Sequence, residues 1–164
     1  MKKISLVLCI VLAFGMLAGC GGQYGSSNDY TKIIEDARDP ELNTLSQYDV
    51  VSGPDSDLYD MMFGEGAWFD DSVMERYAVS TSNIIIKVYG VAIILPKEGQ
   101  EQAVLDQINA YVEYQQHSQE NYLPDQYEVA MNAIVKTAKT GEVLLAMCED
   151  ADDVMAKLEA GLAA

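Results

Sequence analysis

The chain has 164 residues, 49% of them hydrophobic and 22% charged, which excludes wholesale disorder and leaves room for one domain with a sizeable core. Acidic residues outnumber basic ones 26 to 10, and once a leader holding Lys2 and Lys3 is set aside the balance is 26 to 8, a formal charge of −18. That charge excludes a nucleic-acid binder held by a basic face and a polybasic membrane-surface module.

Residues 1–19 read as a lipoprotein signal peptide. Lys2 and Lys3 supply a positive start, and Ile4 to Leu17 is a run of 14 residues whose only hydroxyl is Ser5. As a helix it would span about 21 Å, short of the roughly 30 Å hydrocarbon core of a bilayer. That length suits a signal peptide better than a membrane span. Leu17-Ala18-Gly19-Cys20 resembles a bacterial lipobox. The resemblance implies cleavage between Gly19 and Cys20 and a diacylglyceryl group on the Cys20 sulfur, palmitate being the type of chain expected. Two acyl chains hold a protein stably where one is marginal. The expected address is therefore the cell membrane, lipid-anchored, on its extracytoplasmic face. Residues 20–28, with Gly21, Gly22, Gly25, Ser26 and Ser27, read as the lipidated cysteine and a flexible tether. Its eight residues after Cys20 reach about 25 Å when extended. Residues 29–164 then read as a single domain. Cys9 leaves with the leader and Cys20 takes the lipid, so Cys148 remains alone and no intrachain disulfide is expected.

Along that domain, Tyr30, Ile33, Ile34 and Ala37 predict a short helix ending before Pro40. A loop follows to Pro54. Asp55 to Phe63 predicts a second helix stopped by Gly64, and Asp70 or Asp71 caps a helical turn. Tyr77-Ala78-Val79-Ser80 opens a strand, and Ser80 to Asn83 reads as a turn. Ile84 to Leu95 is the strongest β segment, apolar on both faces and ended by Pro96, with Gly90 marking a bulge or a close approach. Glu98 to His117 is a long amphipathic helix, and Asp125 to Asn132 a shorter one bearing Tyr127, Ala130 and Met131. Ala133 to Lys139 and Glu142 to Cys148 form a hairpin about Thr140-Gly141, and Asp150 to Ala163 a last helix. The order ββααββα predicts an α+β fold: an antiparallel sheet of about four strands with helices packed on it in two layers. Each hairpin is followed by an amphipathic helix, a loose two-fold echo.

Several of these segments carry a family resemblance. They are Glu75-Arg76-Tyr77-Ala78-Val79, the Ile-rich second strand, the long helix ending near Gln115-Gln116, Asn121 to Gln126, and the hairpin Ala133 to Cys148. From Asp70 to Leu158 the chain resembles a family of small uncharacterised bacterial lipoproteins, the domain of unknown function numbered forty-three fifty-eight. Members tend to carry a lipobox leader, as this chain does. None of the shared segments is a chemical signature, so the resemblance implies a family without a mechanism.

His117 is the only histidine and sits in a polar helix end, where a cation is favoured by the helix dipole. With one histidine and one free cysteine the domain cannot build a standard zinc site, and no metal or cofactor is expected. Asp55-Ser56-Asp57, Asp70-Asp71 and Glu149-Asp150 with Asp152-Asp153 read as helix caps, with divalent-cation binding as the alternative. Phosphate loops, nucleophile elbows, CxxC and HExxH are absent, and no catalytic constellation is found, so an enzyme is not expected. An envelope-polymer hydrolase resting on paired carboxylates is a further alternative. The remaining candidates are aromatic. Trp68, in a loop between Gly66 and Asp70, either plugs the core or contacts a partner, and Tyr111, Tyr114, Tyr122 and Tyr127 can gather about the end of the long helix. The reading that results is a binding or assembly module at the cell envelope, anchored to the membrane through its N-terminal lipid, with another envelope protein or a small ligand as partner and no nucleic acid.

Overall fold

The computed structural model describes residues 25–164. The signal peptide, Gly19 and Cys20 lie outside the described residues. Helix α1 spans Tyr30–Ala37, and its N-cap Asp29 accepts from the amides of Thr31 and Lys32. It buries the four residues its periodicity marks, Tyr30, Ile33, Ile34 and Ala37. Two 3-10 turns, Pro40–Thr44 and Ser46–Tyr48, occupy the connection beyond it. The second helix, α2, is only Tyr59–Phe63, shorter than the predicted 55–63, and Met62 alone is buried from it. Strand β1 is Met74–Thr81 and β2 is Gly90–Pro96; α3 is Glu101–Gln119 and α4 is Pro124–Met131. Strands β3 (Ile134–Thr137) and β4 (Val143–Met147) precede α5 (Ala151–Ala163).

All four strands pair antiparallel in the order β1-β2-β4-β3, so the α+β fold and the ββααββα order stand. The centre of the sheet explains the layering. Both β2 and β4 are buried along their whole length. Side chains alternate across a strand, so Val91, Ile93, Leu95, Leu144 and Ala146 meet α1 and α5 on one face. Ala92, Ile94, Val143, Leu145 and Met147 meet α3 and α4 on the other. The domain therefore has three layers where two were expected. The two-fold echo also stops short. A two-fold relating antiparallel neighbours stands perpendicular to the sheet and would put both following helices on one face, whereas α3 and α5 cover opposite faces.

The predicted strand Ile84–Leu95 begins six residues late. Its partner β1 ends at Thr81, paired with Gly90, so Ile84 to Ile86 have no strand to bond with. They form a turn in the β1–β2 loop, with Ile85 85% and Ile86 59% exposed. Two buried glutamines hold the loop from the helices: Gln126 Oε1 accepts from the Val88 amide at 2.8 Å, and Gln119 Nε2 donates to the Ile85 carbonyl at 3.2 Å. Gly90 is the close approach foreseen. A Cβ there would lie 3.1 Å from both Met147 Cε and Tyr111 Cε1. On α4 the buried face is Gln126, Val129 and Ala130, while Met131 is exposed.

Gly25 to Asn28, expected as tether, are fastened to the domain instead. The reason is Glu142, a fully buried carboxylate. It accepts hydrogen bonds from the Ser26 amide and the Thr140 hydroxyl, and from the Tyr30 hydroxyl at 2.7 Å. Burial works to raise its pKa, but these donors together hold it below its ordinary value of 4.5. The Gly25 amide donates to the Thr140 carbonyl at 2.6 Å. Arg76 lies over the Tyr30 ring, 3.7 Å from its centroid, and donates to the carbonyls of Ser26 and Asn28. The stabilisation from Glu142 is thus complete above pH 4.5 and is lost as pH falls through the lower folded-state pKa. Glu142→Gln is expected to lower stability by about 2 kcal/mol at pH 7 and to flatten the acid limb of the stability profile. Urea denaturation at pH 7 and pH 3 measures both, and hydrogen exchange at Ser26 should accelerate.

Candidate functional site

The sheet has two ends. At one, Arg76 pairs with Leu95 and Met74 with Pro96, and Gly25 enters beside Leu95 and the β3–β4 turn. At the other, Thr81, Gly90 and Met147 lie side by side. Six residue steps along β2 separate the ends, about 20 Å.

The far end holds a buried arginine. Helix α1 stops at Ala37, and Arg38, its C-cap, turns inward and is 5% exposed. Its Nε donates to Asn43 Oδ1 at 2.6 Å, and its Nη1 donates to the Tyr48 carbonyl at 2.7 Å and to Ser80 Oγ at 2.9 Å. Ser80 Oγ in turn donates to the Tyr48 carbonyl at 2.7 Å. No carboxylate forms an ion pair with Arg38 among the described residues. Burying a guanidinium without an anion is costly, and carbonyl and hydroxyl acceptors compensate only part of that cost. Tyr89 sits beside it, its ring edge-on to Tyr48 at 5.1 Å. The Tyr89 hydroxyl is buried and makes no hydrogen bond of proper geometry. Burial raises its pKa, partly countered by the nearby Arg38 and Ser80.

Arg38, Tyr48 and Tyr89 line a cavity of about 180 Å³ with Leu42, Val88, Val154 and Cys148. Lys87 and Glu149, an exposed ion pair, and the exposed Asp39 and Asp150 stand around it. Cys148 follows β4 rather than lying in it, and burial pushes its thiol up to about 11, so it is protonated and a poor nucleophile at neutral pH. The arrangement offers hydrogen-bond donors and apolar walls, which suits binding.

The aromatic candidates are divided. Trp68 packs on Tyr114 at 4.3 Å and on Tyr111 at 5.6 Å, while its neighbour Phe69 is buried. Trp68 is 39% exposed, packs over the α3 side of the core, and lines an open surface depression with Gly64, Gly66 and Gln107. Tyr111 is buried, and its hydroxyl donates to the Tyr89 carbonyl at 3.2 Å. Tyr122 is exposed in the α3–α4 turn and Tyr127 half-buried on α4; no ring contact among the described residues joins them to Trp68. His117 is exposed in the last turn of α3. The carboxylates serve local partners. Asp70 accepts from the Ser72 amide, Asp71 from the Tyr59 and Tyr77 hydroxyls, and Asp153 pairs with Lys157. Among the described residues no three His, Cys, Asp or Glu side chains converge in a way that could hold a metal.

Arg38 and Tyr89 were not singled out by the sequence. Arg38 precedes Asp39 and reads as one half of a surface charge pair, and Tyr89 lies inside an apolar run. The one available signal is the scarcity of bases, which makes any arginine at the end of an apolar helix worth tracing.

Residues 56–148 match the domain of unknown function DUF4358, more than half of the chain. The protein belongs to that family. No curated protein and no solved structure matches it. The DUF4358 span begins before the predicted Asp70 and stops at Cys148, short of α5. It contains the whole sheet, α3 and α4, together with Tyr89 and Cys148. It leaves out α1, Arg38 and α5, which cover one entire face. Tyr89→Phe deletes only an unpartnered hydroxyl and is expected to leave stability unchanged or raise it by up to about 1 kcal/mol. Ser80→Ala removes an acceptor from Arg38 and should cost about 1–2 kcal/mol; paired denaturation curves test the contrast.

Proposed function

We propose that this DUF4358 protein is a binding module held by lipid at the extracytoplasmic face of the cell membrane, and not an enzyme. The lipobox resemblance at Leu17 to Cys20 supports the anchor. The observation that carries the reading is the separation of the two sheet ends: the chain joins the fold at Gly25, about 20 Å from the cavity end. Five residue steps join Cys20 to Gly25, a reach of about 17 Å. A lipid at Cys20 keeps the Gly25 end near the bilayer and turns the cavity outward. The formal charge of −18 adds repulsion from anionic headgroups. No helix among the described residues is long and apolar enough to cross a membrane. The Arg38 guanidinium, the aliphatic walls and a Cys148 thiol kept protonated by burial support binding in the cavity.

A protein partner is the second reading. Ile85 and Ile86 project from the same outward end, and exposed aliphatic pairs at a loop tip are natural contact points.

Cys20→Ala is expected to shift the protein from the membrane fraction to the soluble or precursor pool, and mass spectrometry of the wild-type N-terminus should find a diacylated cysteine. Mature protein that stays membrane-bound after the substitution would refute the anchor.

A further inference from the structure

We infer that the Arg38–Tyr89 cavity is a binding site for a monocarboxylate with a short apolar body. The inference rests on the binding-module reading above but not on the lipid anchor.

A guanidinium has five N–H donors. Three of those on Arg38 are used, by Asn43, the Tyr48 carbonyl and Ser80. Nη2 makes no hydrogen bond of proper geometry among the described residues; it faces the cavity close to the Tyr89 hydroxyl and is not sealed from solvent. The Tyr89 hydroxyl, in a residue 4% exposed, is buried without a hydrogen bond of proper geometry, near Arg38 and Ser80, and Tyr89 lines the same space. Buried donors are nearly always satisfied. One buried hydroxyl without a partner and, beside it, a guanidinium nitrogen facing the same cavity describe the complement of an oxyanion.

The surroundings select which oxyanion. Lys87 is neutralised by Glu149, and Asp39 and Asp150 stand exposed at the rim. One positive charge inside a negative rim accepts a single negative charge and repels a second. A carboxylate fits that balance better than a phosphate dianion. The volume of about 180 Å³ is smaller than a drug-sized pocket, and Leu42, Val88 and Val154 offer aliphatic wall. A body of three or four carbons suits this space. The source could be a free short acid or the C-terminal residue of a peptide, which share this chemistry.

The test titrates full-length protein in detergent with butyrate, butyramide and inorganic phosphate, followed by calorimetry. Butyrate should bind at least tenfold more tightly than butyramide and at least tenfold more tightly than phosphate. Equal affinity for acid and amide overturns the inference, as does tighter binding of phosphate or no binding of butyrate. Arg38→Lys keeps the charge but loses the planar fork, and should abolish binding; since Arg38 also braces Tyr48 and Ser80, its folding must be confirmed by circular dichroism. Tyr89→Phe provides the independent arm: it removes no existing hydrogen bond and should weaken butyrate three- to tenfold. Unchanged butyrate affinity in a folded Tyr89→Phe protein overturns the site. Acetylalanine tighter than butyrate points to a chain-terminal carboxylate, and weaker to a free acid, either one within the inference. Membrane release of Cys20→Ala alongside absent butyrate binding would sink the ligand class while leaving the anchored module intact.

Discussion

Two strands that must be buried on both faces govern this molecule. Strands β2 and β4 are apolar and buried at every position, whichever face alternation sends the residue to, and neither face tolerates water. One layer of helices cannot cover two faces. The chain meets this by sending α3 and α4 across one side and by using both of its ends, α1 and α5, on the other. The ends meet closely: a Cβ at Gly161 would come within 2.7 Å of Ile33 Cγ2. Because α1 must run along the sheet from the Gly25 end, its C-terminus emerges at the opposite end, and Arg38 is delivered there. The position of the candidate site is thus a consequence of how the second face is closed.

Two buried charges in the same fold make an instructive contrast. Glu142 is wholly inside, and amide and hydroxyl donors reach both of its oxygens. Those contacts tie the first described residues to the β3–β4 turn, which is a structural task completed within the chain. Arg38 is nearly as buried, yet three of its donors meet only neutral acceptors, and Nη2, facing the cavity beside Tyr89, makes no hydrogen bond of proper geometry among the described residues. A satisfied buried charge explains itself through the fold; an unsatisfied one asks what else occupies the space. Tyr89, with its idle hydroxyl beside that arginine, poses the same question independently.

Much of the architecture was legible because it rests on local periodicity. The helix Tyr30–Ala37, the hairpin about Thr140-Gly141 and the buried stripe Val154, Met155, Leu158 and Leu162 of α5 all follow from spacing and turn residues. The misreadings share a cause. Ile84 to Ile86 have high β propensity, but a strand exists only where a partner runs alongside, and β1 ends at Thr81. Gly25 to Asn28 have a tether's composition, but Glu142, far along the chain, fixes the Ser26 amide. Trp68, Tyr111 and Tyr114 do gather, while Tyr122 and Tyr127 take other positions, since aromatic content alone carries no information about which helix turn faces which loop.

The amino-acid sequence by itself determined the family, the element order, the α+β class and the strongly acidic character, all of which depend on neighbours along the chain or on composition. Tertiary structure alone decided that the sheet is covered on both sides, that one isoleucine run becomes an exposed loop, and that Arg38 and Tyr89 share a cavity. Arg38 and Tyr89 are far apart in sequence and neither belongs to a motif. What unites them is the packing of one helix end against one strand end, a relation between distant segments that no local pattern encodes.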